Sequence, residues 1–121
     1  EDRSLRILDL GGGDGRDAIH FASLGHAVTL TDISPGMLSQ ARISAAQQGI
    51  AERMRFLQTE PAGFPDLYNE PPFDLILCHM MIEFVPDAHT FLQNACKLLG
   101  ANSLLSVLDT NRYNHSRSRE K

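Results

Sequence analysis

Residues 6–10, RILDL, run straight into GGGDG at 11–15. Glycine gives up more chain freedom on folding than any other residue, so four glycines in five positions are costly in regular structure. Such a cluster belongs where a backbone turns tightly or approaches something closely. A short apolar strand, a glycine turn and a helix is the arrangement this stretch imposes. The next residues agree: across 14–24, Ala18, Ile19, Ala22 and Leu24 recur at helical spacing, and Gly25 stops the helix. AVTLT at 27–31 reads as a second strand that ends at Asp32.

The same alternation continues. Ser34 and Pro35 open a helix as N-cap and first helical residue, with Met37, Leu38, Ala41, Ala45 and Ala46 on its apolar face and Gly49 at its end. MRFLQ at 54–58 is a third strand, and 60–72, with four of the six prolines, is a loop. FDLILCH at 73–79 has the continuous apolar character of a strand buried on both faces. Asp87 caps a helix with Phe91, Leu92, Ala95, Leu98 and Leu99 on one face, Gly100 ends it, and 103–108 is the fifth strand. Strands alternating with amphipathic helices predict an α/β fold: a Rossmann-like, doubly wound, mostly parallel sheet of about five strands. Ligands bind such sheets beyond the carboxyl ends of the strands, which here are residues 9–13, Asp32, 59–61 and His79.

A chain of 121 residues is one domain or part of one. Both ends read as cut, so residues 1–111 are expected to be a core truncated on either side and 112–121 a polar tail. A net charge of −4 speaks against a general nucleic-acid binder, which would show a basic face, though not against an enzyme that handles one RNA site through a local patch. Cys78 and Cys96 lie in apolar segments without metal-ligand spacing and read as free thiols of a reducing compartment. No apolar run reaches the ~18 residues of a membrane span, and the first residues lack a signal peptide's pattern, so the expectation is a cytoplasmic protein. The oligomeric state is not legible.

Two ligands compete for the glycine loop. Residues 13–18 match G-x-G-x-x-A, the dinucleotide pattern, with an acid further on at Asp32. A pyrophosphate, however, would sit on the helix start, where Asp14 and Asp17 stand, with Asp9 at the strand end; three carboxylates repel it. The alternative is a nucleoside with a positive centre and no phosphate, and S-adenosylmethionine fits. Asp9 suits its ammonium group, directly or through water. Gly11, Gly12 and Gly13 let the backbone pass close by. Asp32 offers two acceptor oxygens to the two ribose hydroxyls, although a helix-capping role is its ordinary alternative.

DLGGGDG at 9–15, TDIS at 31–34 and FDLIL at 73–77 together resemble the class I S-adenosylmethionine-dependent methyltransferases. The longer phrases GGGDGRDAIHFASLGH, DISPGMLSQA and DLILCHMMIEFVPD are similar to the bacterial tRNA 5-carboxymethoxyuridine methyltransferases, which esterify the carboxylate of a modified wobble uridine. The resemblance implies that Ile33 and Met37 wall the adenine, that Glu60 and Pro61 approach its edge, and that His79 lines the methionine end. It places Glu83 toward the substrate and makes a tRNA the candidate methyl acceptor. His20, His26, His89 and His115 read as structural or surface residues.

An ionised carboxylate acceptor needs no general base, so no catalytic acid or base is assigned. It needs a cationic partner instead, for which this chain offers Arg112, Arg117 and Arg119. A small-molecule methyltransferase, an NAD-binding oxidoreductase and a non-catalytic Rossmann-like domain are the alternatives.

Overall fold

The computed structural model describes residues 4–59, 65–79 and 87–108. Five strands form one sheet: β1 (Arg6–Leu10), β2 (Ala27–Asp32), β3 (Met54–Gln58), β4 (Phe73–His79) and β5 (Leu99–Leu108). Their order is β3-β2-β1-β4-β5, and every neighbouring pair is parallel. The chain winds outward from β1 to β3, then returns to place β4 on the other side of β1. The winding therefore reverses between β1 and β4, and in sheets of this kind ligands bind at such a reversal, beyond the carboxyl ends of the strands.

Helices α1 (Arg16–Ser23) and α2 (Pro35–Gln47) pack on one face of the sheet and α3 (Ala88–Cys96) on the other. The strand residues alternate accordingly. Ile7 joins Ala18, Ile19, Ala41 and Leu77 in the first core, whereas Leu8 and Leu10 join Phe73, Ile76, Phe91 and Ala95 in the second. With a side-chain period of two, Asp9 shares the face of Ile7 and looks toward α1. Among the described residues, no helix is long and apolar enough to cross a membrane.

The helix ends follow their capping chemistry. Ser34 Oγ accepts the Met37 N–H at 3.2 Å, and Asp87 accepts that of Thr90 at 3.1 Å. α1 and α2 close in the same way. The Gly25 N–H returns to the Ala22 carbonyl and the His26 N–H to that of Phe21; Gly49 and Ile50 repeat this on Ala46 and Ala45. This is the Schellman arrangement, which needs a left-handed residue just past the helix, and Gly25 supplies it with φ of 104°.

At the amino end of the sheet, Arg6 donates to the Pro71 and Pro72 carbonyls at 3.0 and 3.2 Å and lies over the Phe73 ring. Arg55 makes a two-pronged bond to Glu70, at 3.0 and 2.6 Å, and holds that carboxyl below the usual range. These contacts tie the approach to β4 onto β1 and β3. His26 has a structural role as well: its Nδ1 accepts the Leu5 N–H at 3.1 Å, fastening the start of β1 to the α1–β2 turn.

Strands β1, β3 and β4 have the bounds expected from the sequence. Two segments differ. The expected loop at 60–72 contains a 3-10 turn, Pro65–Asn69, which buries Leu67 in the second core. The third helix stops at Cys96 instead of Gly100, and β5 starts at Leu99 rather than at residue 103. Pairing in the sheet overrides the apolar spacing there: the Phe73 N–H takes the Leu98 carbonyl at 2.8 Å, and Leu99 pairs with Phe73.

Gly25→Ala would place a side chain in open space but in a left-handed conformation. It should cost about 1 kcal/mol of stability with no change in the core, measured as a lower urea midpoint at unchanged slope.

Candidate functional site

The parallel register delivers three chain segments to one edge. β1 ends in Asp9 and Leu10 and turns into the glycine loop, β2 ends in Asp32, and β4, next to β1, ends in His79. The loop is fastened to β2 by the Gly12 N–H, which donates to the Thr31 carbonyl at 3.1 Å, while Thr31 Oγ1 donates to the Asp9 carbonyl at 3.2 Å.

Gly12 has no room for a side chain. A Cβ there would overlap the Leu30 side chain and come within 2.5 Å of Asp9 Oδ2. Gly11 and Gly13 are left-handed, with φ of 67° and 62°. Gly15 is the N-cap of α1, and a Cβ on it would meet that of Ala41 at 2.9 Å, so it sets how closely α1 and α2 approach as well as the contact with the strand.

Asp9 is 1 % exposed, and neither carboxyl oxygen has a hydrogen-bond partner among the described residues. Removal from water, with smaller contributions from the negative charges of Asp17 and Asp32, pushes its pKa up to about 7. The buried Cys78 thiol, raised to about 12 by burial and then by the Asp9 charge, is inert. Asp9 thus lies sealed beneath Gly12.

Asp32 is held differently. Its Oδ2 accepts the Gly13 N–H at 2.8 Å and its Oδ1 the Ser34 N–H at 2.9 Å. Each oxygen keeps a second lone pair, so the carboxylate is oriented by the backbone and still able to accept two hydroxyl donors. Ile33, just beyond, is 52 % exposed and offers an apolar face. Met37 Cε would touch a Cβ on Gly13 at 3.4 Å, so its thioether packs over the loop. The structure thus brings together Asp9, Gly11, Gly12, Gly13, Asp32, Ile33 and Met37. Glu60, Pro61 and Glu83 lie outside the described residues, and for His79 only the backbone is described, at the end of β4.

The charge of Asp17 beside Asp9 agrees with the sequence reading. One role was not read from the sequence: Ser34 holds Asp32 through its main chain in addition to capping α2. It had a signal, since an aspartate two residues before a serine is the spacing of an Asx turn. A groove of about 600 Å³ between α1 and α2 is lined by Asp14, Arg16, His20, Gln40 and Ile43 among others. None of Asp9, Gly12 or Asp32 borders it, so its volume has no bearing on the strand-end site.

The Methyltransferase domain family matches residues 1–120. The chain belongs to this family. Among curated relatives, the tRNA 5-carboxymethoxyuridine methyltransferase of Escherichia coli K12 is 36 % identical over 106 residues, covering 88 % of this chain and 40 % of that protein. The ubiquinone biosynthesis O-methyltransferase of Caulobacter sp. K31 is also 36 % identical, over 110 residues, covering 89 % and 42 %. The chain therefore spans about two fifths of the length of these relatives. Among solved structures, an S-adenosylmethionine-dependent methyltransferase from Thiobacillus denitrificans, in complex with S-adenosyl-L-homocysteine, superposes with a TM-score of 0.75 at 21 % identity, covering 86 % of this chain and 41 % of that one. That superposition places the sheet and helices in the methyltransferase fold.

The methyltransferase loop carries a pH signature. Folded Asp9 keeps its proton to about pH 7, whereas in the unfolded chain an aspartate loses it near 4. Between these values the native state binds more protons than the unfolded one, so this group makes stability fall as pH rises, by about 4 kcal/mol in all, and the loss levels off above pH 7. Asp9→Asn should remove that slope, seen as the difference between wild-type and variant denaturation midpoints across the window.

Proposed function

We propose that this chain binds S-adenosylmethionine at the carboxyl ends of β1, β2 and β4 and that the protein transfers its methyl group to an acceptor. The observation that carries the reading is the charge of the site. Asp9 is buried and unpartnered, Asp17 and Asp32 add negative charge beside it, and no ion pair reaches Asp9 among the described residues. Such a site favours a cation and disfavours a diphosphate, which counts against a nicotinamide dinucleotide. The donor set fits the cofactor part by part: an oriented carboxylate at Asp32 for the ribose hydroxyls, Ile33 and Met37 for the adenine, the glycine backbone and Asp9 for the ammonium end. Glu60, Pro61 and His79 complete the proposed set from their places after β3 and at the end of β4.

The cofactor supplies an activated methyl on a sulfonium, already a good leaving group. The residues bind and orient, which is catalysis by proximity and alignment. Gly13 and Ser34 fix Asp32, Asp32 fixes the ribose, and the Gly12 contact fixes the floor of the loop. No side chain of this segment is required to move a proton if the acceptor is an ionised carboxylate.

For the acceptor, the Escherichia coli relative supports the carboxylate of a modified wobble uridine in tRNA. The net charge of −4 and the ubiquinone-pathway relative support a second reading, methylation of a small-molecule hydroxyl. Incubating tRNA that carries the unmethylated 5-carboxymethoxyuridine and, separately, a hydroxylated quinone precursor with protein and labelled cofactor, followed by mass spectrometry of nucleosides and quinones, separates them.

Asp32→Ala removes two charge-assisted acceptors worth roughly 1.5–3 kcal/mol. S-adenosylmethionine should bind some ten- to hundredfold more weakly by isothermal titration. An unchanged affinity would remove the cofactor assignment at its centre.

A further inference from the structure

The Asp9 carboxyl feels the negative charge of two acids, Asp17 from α1 and Asp32 from β2, while the Cys78 thiol of β4 belongs to the core on the other face of the sheet. The two arginines nearest in sequence are engaged elsewhere: Arg6 donates to the Pro71 and Pro72 carbonyls at the amino end of the sheet, and Arg16 is highly exposed and turned toward Asp14 at 3.6 Å. Neither Asp9 oxygen has a hydrogen-bond partner among the described residues, and Oδ2 lies directly beneath the glycine whose backbone forms the loop. A full charge in that position is removed from solvent and has no counter-ion among the described residues.

We infer that Asp9 keeps its proton in the free protein and releases it to solvent when a cationic nucleoside settles on the glycine loop, so that cofactor binding is coupled to proton release. The inference rests on the cofactor reading given above and adds its linkage to pH. The step is balanced: the neutral carboxyl becomes a carboxylate whose charge is offset by the cation across the glycine backbone, and its one proton leaves to buffer. With Asp9 titrating near 7 in the free protein, the ionised, binding-competent form rises about tenfold from pH ~6 to pH ~8. Affinity should rise by the same factor over that interval and level off beyond it.

Two measurements on the full chain decide this. Calorimetric titration with S-adenosylmethionine at pH ~7, in phosphate and in imidazole buffer, should show apparent enthalpies that differ by the buffers' ionisation heats, giving release of about half a proton per site. The release should vanish at pH ~9 and in Asp9→Asn. Separately, the Cγ resonance of Asp9 in the wild-type protein should titrate near neutrality when free and stay at the ionised position when saturated, a readout that does not depend on the variant folding. Binding with equal enthalpies in both buffers overturns the coupling while leaving the cofactor reading intact, and so does a free-protein titration of Asp9 in the ordinary aspartate range. Proton release that persists in Asp9→Asn assigns it to another group and overturns the inference. Failure of S-adenosylmethionine to bind at any pH overturns the cofactor reading and the coupling together.

Discussion

A glycine with no room for a methyl group closes over a carboxyl that has no hydrogen-bond partner among the described residues. The contact of Gly12 with Asp9 and Leu30 sets the height of the loop above the sheet, and the bond from the Gly12 amide to the Thr31 carbonyl fixes its lateral position. Everything else at this edge takes its place from there: Gly13 is aimed at Asp32, Asp32 at Ser34, and Ser34 opens α2. Packing alone would favour a leucine at position 9, facing the same core as Ile7. An acid there breaks the rule that buried polar groups are satisfied, and such breaks collect where function demands them.

Two aspartates at the ends of neighbouring strands thus meet opposite treatment. Asp9 is stripped of water and surrounded by like charge, which favours its neutral form. Asp32 receives two backbone amides that orient it, and part of it remains exposed. The same side chain is a buried group inclined to keep its proton in one position and an acceptor oriented by two amides in the other. Burial, not residue type, makes the distinction. This division suits a guest that presents hydroxyl donors at one end and a cation at the other.

Much of this was legible from the sequence because it is governed by local rules. Period-two and period-3.6 patterns located the strands and the first two helices, and Gly25 and Gly49 marked the helix ends because a left-handed turn has few alternatives. Gly11–Gly13, Asp9 and Asp32 stood out because glycines and an acid are costly within or beside an apolar strand. The boundary between α3 and β5 was not legible, because the choice of Leu98 and Leu99 between helix and sheet depends on Phe73, some twenty-five residues away in sequence. Nor was the reason for Gly12, since the Leu30 and Asp9 atoms that exclude a side chain there converge only once β1 and β2 have paired.

The irregularity in β5 has an effect of its own. Phe73 pairs with Leu99 and Leu75 with Leu104, so two steps along β4 are matched by five along β5, with the surplus taken up around Asn102 at φ of 62°. Beyond that point the strands run in step again to His79 and Leu108. The slack lies at the end of the strand remote from the glycine loop, so the surplus residues are spent before the pairing reaches the opposite rim, and β5 arrives beside His79 in step with β4.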